Sequence, residues 1–160
     1  MTSRNSRFFV TPVDAKGHQR RYHYLDVLPP AGVPQKCVLV LLHGFPDAHC
    51  SWSRVTAPLS MSGYRLIVPD CLGCGLTSKP PYPERLEEYS MKNMVTDLVD
   101  LLDHAQAGKG AAYGSSTVDP NTGAGGKVVV VGHDWGSALA WAFAQFRIDR
   151  LLGVGGIAVP

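Results

Sequence analysis

No apolar run in this sequence approaches the roughly 20 residues that a membrane-spanning helix needs. The polar start, residues 1–7, also lacks the apolar stretch and small-residue cleavage site of a secretion signal. The last residues, Ala158, Val159 and Pro160, carry no recognisable address. Neither sign of charge dominates: 15 Lys and Arg stand against 13 Asp and Glu, and the net charge of +2 is too small to argue for nucleic acid or an anionic membrane surface. These absences predict a cytoplasmic protein with no membrane span and no nucleic-acid partner. Cysteine is scarce, with four residues at 37, 50, 71 and 74. Cys71 and Cys74 have the C-x-x-C spacing of half a zinc site or a redox pair. No second such pair and no H-x-x-x-H follows, so the alternative of two free thiols in a turn is expected, with no metal and no cofactor.

What is present suits one globular domain over residues 1–160. The 45% hydrophobic share is enough for a real core, and 160 residues is ordinary for a single domain. Residues 8–12 and 20–28 are β-rich around the turn-rich Asp14, Ala15, Lys16 and Gly17, which predicts a β-hairpin. In the second arm Tyr22, Tyr24 and Asp26 alternate with His23, Leu25 and Val27, the pattern of a half-buried strand. Two continuous apolar runs, Val38 to Leu42 and Val128 to Val131, suit central parallel strands covered on both faces. A helix over 52–61 and a strand over 64–68 follow the first run. Ser90 is a candidate N-cap for a helix carrying Met91, Met94, Val95, Leu98, Leu101 and Leu102 at helical spacing. Residues 135–146 read as another helix, and 151–159 as a last strand. Strands alternating with helices after an opening hairpin predict an α/β fold with a mostly parallel sheet.

Residues 108–126 are rich in Gly, Ser, Thr and Asn and read as a flexible surface insertion. So long a loop inside a compact domain is uncommon. A lineage-specific insertion and untranslated sequence read into the gene both fit it.

One segment carries chemistry. Gly132-His133-Asp134-Trp135-Gly136 stands between an apolar strand and a helix, in the G-x-D-x-G shape of a nucleophile elbow with Asp in the place of Ser. A sharp strand-to-helix turn needs small neighbours, which Gly132 and Gly136 supply. The following helix aims free N–H groups at Asp134 and favours its ionised form. The other apolar strand ends in His43-Gly44-Phe45-Pro46, and in a parallel sheet both ends meet at one edge. The main-chain N–H groups of Phe45 and Trp135 are therefore candidates for an oxyanion hole, whereas Pro46 has no N–H and can only fix the loop. An ordinary carboxylate at a helix N-terminus is the bland alternative for Asp134. A carboxylate nucleophile suits in-line attack on a saturated carbon with a strained or good leaving group, giving an ester of Asp134 that water must then cleave.

His43-Gly44-Phe45-Pro46-Asp47, Pro69-Asp70 with Gly73-x-Gly75, and Gly132-His133-Asp134-Trp135-Gly136 together resemble the signatures of the soluble epoxide hydrolases of the α/β-hydrolase fold, in the same order. The resemblance implies hydration of a small-molecule epoxide to a diol, with supporting roles for His43, His133 and Asp70. Haloalkane dehalogenases are similar and usually carry Asn where Phe45 stands. The resemblance also implies a base histidine, an acidic partner and two cap tyrosines, all falling beyond Pro160. None of His18, His23, His49 and His104 sits in a matching motif. The chain is therefore expected to be a truncated α/β-hydrolase domain lacking the cap and last strands. It would be without turnover alone and would end on an uncovered apolar strand. A non-catalytic fragment or interaction module is the contrasting reading. The oligomeric state has no signal in the sequence.

Overall fold

The computed structural model describes residues 5–107 and 126–158, so the expected insertion at 108–126 lies, except for Gly126, outside the described residues. Among the described residues six strands form one sheet: β1 (Ser6–Val10), β2 (Arg21–Val27), β3 (Cys37–Leu42), β4 (Tyr64–Pro69), β5 (Val128–His133) and β6 (Leu151–Ile157), in the order β1-β2-β4-β3-β5-β6. β1 and β2 pair antiparallel, as do β2 and β4. The remaining pairs, β3 with β4, β3 with β5 and β5 with β6, are parallel. Among the described residues three α-helices complete the α/β architecture: α1 (Ser53–Met61), α2 (Met91–His104) and α3 (Trp135–Phe146).

Alternation along β3 assigns the two faces. Val38, Val40 and Leu42 pack with Leu98, Leu101 and Leu102 of α2 and Leu139 and Phe143 of α3. Leu41 packs the other way with Leu25, Leu66 and Val68, beside Leu59 of α1 and Trp52. Both faces of β3 are thus covered, as its continuous apolar run predicts. In β5 Val128 and Val130, on the α2 and α3 side, are buried along with Gly132, while Val129 and Val131 remain partly exposed. β5 therefore departs from the expected fully buried strand, because α1 packs against β4 and leaves the far end of that face thinly covered. β6 pairs with β5 alone among the described residues, and Leu152 and Ile157 on it are exposed.

β2 departs from the half-buried pattern in the other direction. Tyr22, His23, Tyr24 and Leu25 are all buried. The reason is position: β2 lies between β1 and β4 rather than at an edge, and His23 is covered by Phe8, His49 and Asp70.

The hairpin turn is closed by Asp14, whose Oδ1 accepts the N–H groups of Lys16 and His18. A buried ion network then ties the hairpin to α2. Arg20 grips Asp97 through Nε and Nη2 at 2.7 and 2.9 Å, and the Tyr22 hydroxyl donates to the same carboxylate at 2.9 Å. Arg20 also reaches Asp14 and Glu88. Ser90 caps α2, its Oγ accepting the Asn93 N–H.

Candidate active site

Asp134 stands at the turn from β5 into α3 with φ 54° and ψ −123°, a conformation that a non-glycine residue adopts only when its surroundings impose it. Its N–H donates to the Ile157 carbonyl at 3.1 Å, and its own carbonyl accepts the N–H groups of Ser137 and Ala138. The flanking glycines are a steric requirement. A Cβ on Gly132 would lie 2.0 Å from the Gly136 carbonyl oxygen, and one on Gly136 would lie 2.3 Å from that of Leu42. Any side chain at either position would push α3 away from β3 and β5.

The loop after β3 meets this turn at the carboxyl edge of the sheet. The Phe45 N–H donates to Asp134 Oδ1 at 2.9 Å. Bonds from the Phe45 N–H, and next from the Trp135 N–H, hold the Asp134 carboxyl below the usual carboxylate range, while the slight burial opposes them and His133 adds to them. The side chains of Phe45 and Trp135 are 72% and 64% exposed, so their main-chain groups, not their rings, are fixed in the site. Pro46 follows Phe45 through a cis peptide bond. A cavity of about 360 Å³ opens beside these donors, bounded by Trp135 and Leu139 of α3, Met91 and Met94 of α2, and Leu72 and Tyr89.

His43 is buried, and both of its ring nitrogens are engaged. Nδ1 lies 2.8 Å from the Gly44 carbonyl, and Nε2 lies 2.9 Å from the Cys71 main-chain nitrogen. Only the tautomer with its proton on Nδ1 makes both bonds, which leaves no free lone pair for base chemistry. Asp70 at the end of β4 is fully buried. Its Oδ1 accepts the main-chain and ring N–H groups of His49, and its Oδ2 accepts from His23 Nδ1 and the Leu76 N–H. Burial alone would raise its pKa; bonds from the His49 and Leu76 main chain and from the His49 and His23 rings outweigh burial and hold it at about 2. Gly75, with φ +49°, leaves room for that carboxylate, since a Cβ there would lie 2.2 Å from Oδ2.

Of the residues singled out in the sequence, the structure brings Gly44, Phe45, Gly132, Asp134, Trp135 and Gly136 into direct contact. His43 and Asp70 brace the loops behind them. His133 is exposed and lines a second recess with Phe45, Pro46 and Asp47. Cys71 and Cys74 sit in a turn closed by the Cys74 N–H on the Cys71 carbonyl, and both are free thiols. Burial pushes the Cys71 thiol up to about 12, which leaves it protonated and unreactive. His23 and His49 were missed. The alternation of β2 put His23 on an inward face, but nothing around His49 signalled its partner 21 residues away. Together with Asp70 these two form one of two groups of three potential metal ligands among the described residues; Asp14, His18 and Glu88 form the other. Hydrogen-bond donors already occupy the carboxylates in both, with Arg20 and Arg85 on the second.

No helix among the described residues is long and apolar enough to cross a membrane. Comparison with known proteins agrees with the fold. The chain is 37% identical over 141 residues to epoxide hydrolase B of Mycobacterium tuberculosis, an alignment covering 88% of this chain and 33% of the relative. It is 39% identical over 121 residues to epoxide hydrolase 2 of Siraitia grosvenorii, covering 76% of this chain and 32% of the relative. Among solved structures, an epoxide hydrolase variant from Vigna radiata superposes with a TM-score of 0.70 at 25% identity, covering 98% of this chain and 40% of that one. Epoxide hydrolase A of Mycobacterium thermoresistibile gives 0.68 at 28% identity, covering 97% and 40%. The chain thus spans about a third of the length of the curated relatives it matches. Residues 39–159 match the alpha/beta hydrolase family, and with the mostly parallel sheet in agreement, the chain belongs to that family.

Proposed function

We propose that the chain carries the nucleophilic half of an epoxide hydrolase site, in which water is added to an epoxide through an ester at Asp134. The observation that carries this reading is the Asp134 carboxylate at a β-to-α turn, 2.9 Å from the Phe45 N–H, with the Trp135 N–H beside it lowering its pKa further. The similarity to named epoxide hydrolases supports the substrate class.

In the first step a carboxylate oxygen of Asp134 attacks a ring carbon. A C–O ester bond forms, the ring C–O bond breaks, and the released alkoxide takes a proton. In the second step water adds to the Asp134 carboxyl carbon. The oxygen that becomes negative there is the one facing Phe45 and Trp135, so the same two N–H groups that hold the resting carboxylate stabilise the tetrahedral adduct. Collapse releases the diol and restores Asp134. An acid would speed the first step and the second needs a base; the resemblance assigns both to parts of the relatives that this chain does not span. His43 does not supply the base, since both of its ring nitrogens are engaged.

The test uses protein in excess over a terminal epoxide in oxygen-18 water. The expected result is a singly modified fraction of the chains, no larger than the epoxide supplied, mapped to the Asp134 peptide and absent in Asp134→Ala. Where turnover occurs, label enters Asp134 before it enters the diol. Label passing straight into the diol would reject the ester route, and halide release from a haloalkane without reaction of epoxides would reassign the substrate.

A further inference from the structure

The Phe45 N–H has an exact job at Asp134, yet little holds its own segment in place. Phe45, Pro46 and Asp47 are all exposed, and the Phe45 ring packs against no core. The placement of that N–H therefore depends on the points where the loop is tied down on either side. Upstream the tie is His43, bonded to Gly44 and Cys71. Downstream the first residue with long-range bonds is His49, which gives both its main-chain N–H and its ring Nδ1–H to Asp70 Oδ1, each at 2.8 Å. Between the two anchors the loop is short and internally bonded: the Asp47 N–H donates to the Gly44 carbonyl and the Ala48 N–H to Asp47 Oδ1.

Asp70 is a firm anchor. It is fully buried at the end of a central strand, and its other oxygen is held by His23 and Leu76. His23 in turn is fixed by Ser6 Oγ at 2.8 Å on its second nitrogen. The His23 and His49 rings meet edge to face with centroids 4.9 Å apart, so the two imidazoles also pack on each other. A line of contacts thus runs from β1 through β2 and the end of β4 into the loop whose Phe45 N–H meets Asp134.

We propose that His49 is a positioning residue: its double bond to Asp70, backed by His23, sets where the Phe45 N–H stands relative to Asp134. His49 touches no reacting atom, and its effect passes entirely through the loop. The proposal rests on the epoxide hydrolase reading only for its consequence, which is slower breakdown of the Asp134 ester when the donor is misplaced. The placement itself is measurable without turnover.

The experiment compares the wild-type chain with His49→Ala, which keeps the main-chain bond and removes the ring, and His49→Asn, whose amide donates from nearly the place of Nδ1. Two readouts are taken by NMR: hydrogen exchange at the Phe45 amide, and the pH titration of the Asp134 carboxyl carbon. Amides of β3 and β5 report on the fold. In His49→Ala the Phe45 amide is expected to exchange about tenfold faster, as a locally loosened segment does. The Asp134 titration should move up as its donor is displaced, with β3 and β5 unchanged, and His49→Asn should return both readouts toward wild type. Wild-type values for Phe45 and Asp134 in His49→Ala would overturn the proposal. Equal loss of protection across the sheet, or no recovery in His49→Asn, would also overturn it, by making His49 a general stability residue. Absence of any reaction with epoxides would count against the functional reading alone and leave these measurements standing.

Discussion

A Cβ placed on Gly44 would lie 2.6 Å from both the Cβ and Oδ1 of Asp134, 90 positions along the chain. The loop after β3 and the turn after β5 thus touch where neither can accept another atom. Gly44→Ala should push the two apart, break the 2.9 Å bond from the Phe45 N–H to Asp134, and destabilise the fold by about 1–3 kcal/mol, the usual cost of overpacking. Urea unfolding gives the stability change. The Asp134 titration gives the local one, and it should move upward because its largest lowering contact is lost. An unchanged titration would mean that the loop accommodates the methyl without releasing Asp134.

A tighter constraint lies at Gly132, where a Cβ would stand 2.0 Å from the Gly136 carbonyl oxygen. Gly132 is buried in β5 and Gly136 in α3, so relaxation is not cheap. Gly132→Ala is expected to cost more than about 4 kcal/mol, in the range reserved for severe core defects. The measurable outcome is loss of cooperative unfolding or of recoverable folded protein.

The two glycines and the carboxylate between them were legible in the sequence because an elbow is a local pattern: strand, glycine, nucleophile, glycine, helix. The order of strands and helices was legible for the same reason, since runs such as Val38 to Leu42 announce themselves without reference to anything distant. What stayed hidden depends on partners far along the chain. Arg20 meets Asp97 across 77 positions and His49 meets Asp70 across 21, and no periodicity marks either residue as paired. The burial of both faces of β2 was hidden likewise, because alternation shows which residues share a face but not that β2 pairs with β4. His23 could be placed on a face from sequence, but not against a carboxylate.

The Arg20 and Asp97 pair predicts a large asymmetry between single and double changes. Asp97→Ala leaves the buried guanidinium of Arg20 with Asp14 and Glu88 only, and strands the Tyr22 hydroxyl. A loss of about 3–5 kcal/mol is expected, as for other buried pairs broken on one side. Changing Arg20 to Met in the same background should recover part of it, because no uncompensated charge then remains. Equal stabilities of the single and double variants in denaturant would show that the remaining acids satisfy Arg20 fully.

Asp70 sets a pH dependence whose sign follows from its depressed pKa. Its folded value is about 2, against about 3.9 for an unfolded Asp. The stabilisation is therefore fully present above the unfolded value and fades as pH falls toward and through the folded one. The difference corresponds to about 2–3 kcal/mol, lost between roughly pH 5 and pH 1. Asp70→Asn cannot lose what it no longer has. It should be less stable at neutral pH, because an amide nitrogen would face His23 or His49 donors, and its stability should fall less steeply in acid. Parallel acid limbs in wild type and variant would remove Asp70 from the account.

Asp134 makes a separate prediction about rate, because only its ionised form attacks carbon. Its carboxyl lies below the usual carboxylate range, chiefly through the Phe45 N–H. The rate of adduct formation with a terminal epoxide, followed by intact mass, should therefore be flat from neutral pH down through the ordinary carboxylate range. It should decline only below that range, as Asp134 takes up a proton. In Gly44→Ala the decline should begin at higher pH, since the displaced donor no longer favours the charged form. These two profiles separate Asp134 from any histidine as the attacking group. A histidine is nucleophilic only when neutral, so its rate would already be falling as pH drops through about 6.5. It would also be indifferent to a methyl on Gly44. A profile of that kind would assign the adduct to an imidazole and leave Asp134 as an ordinary carboxylate at the N-terminus of α3.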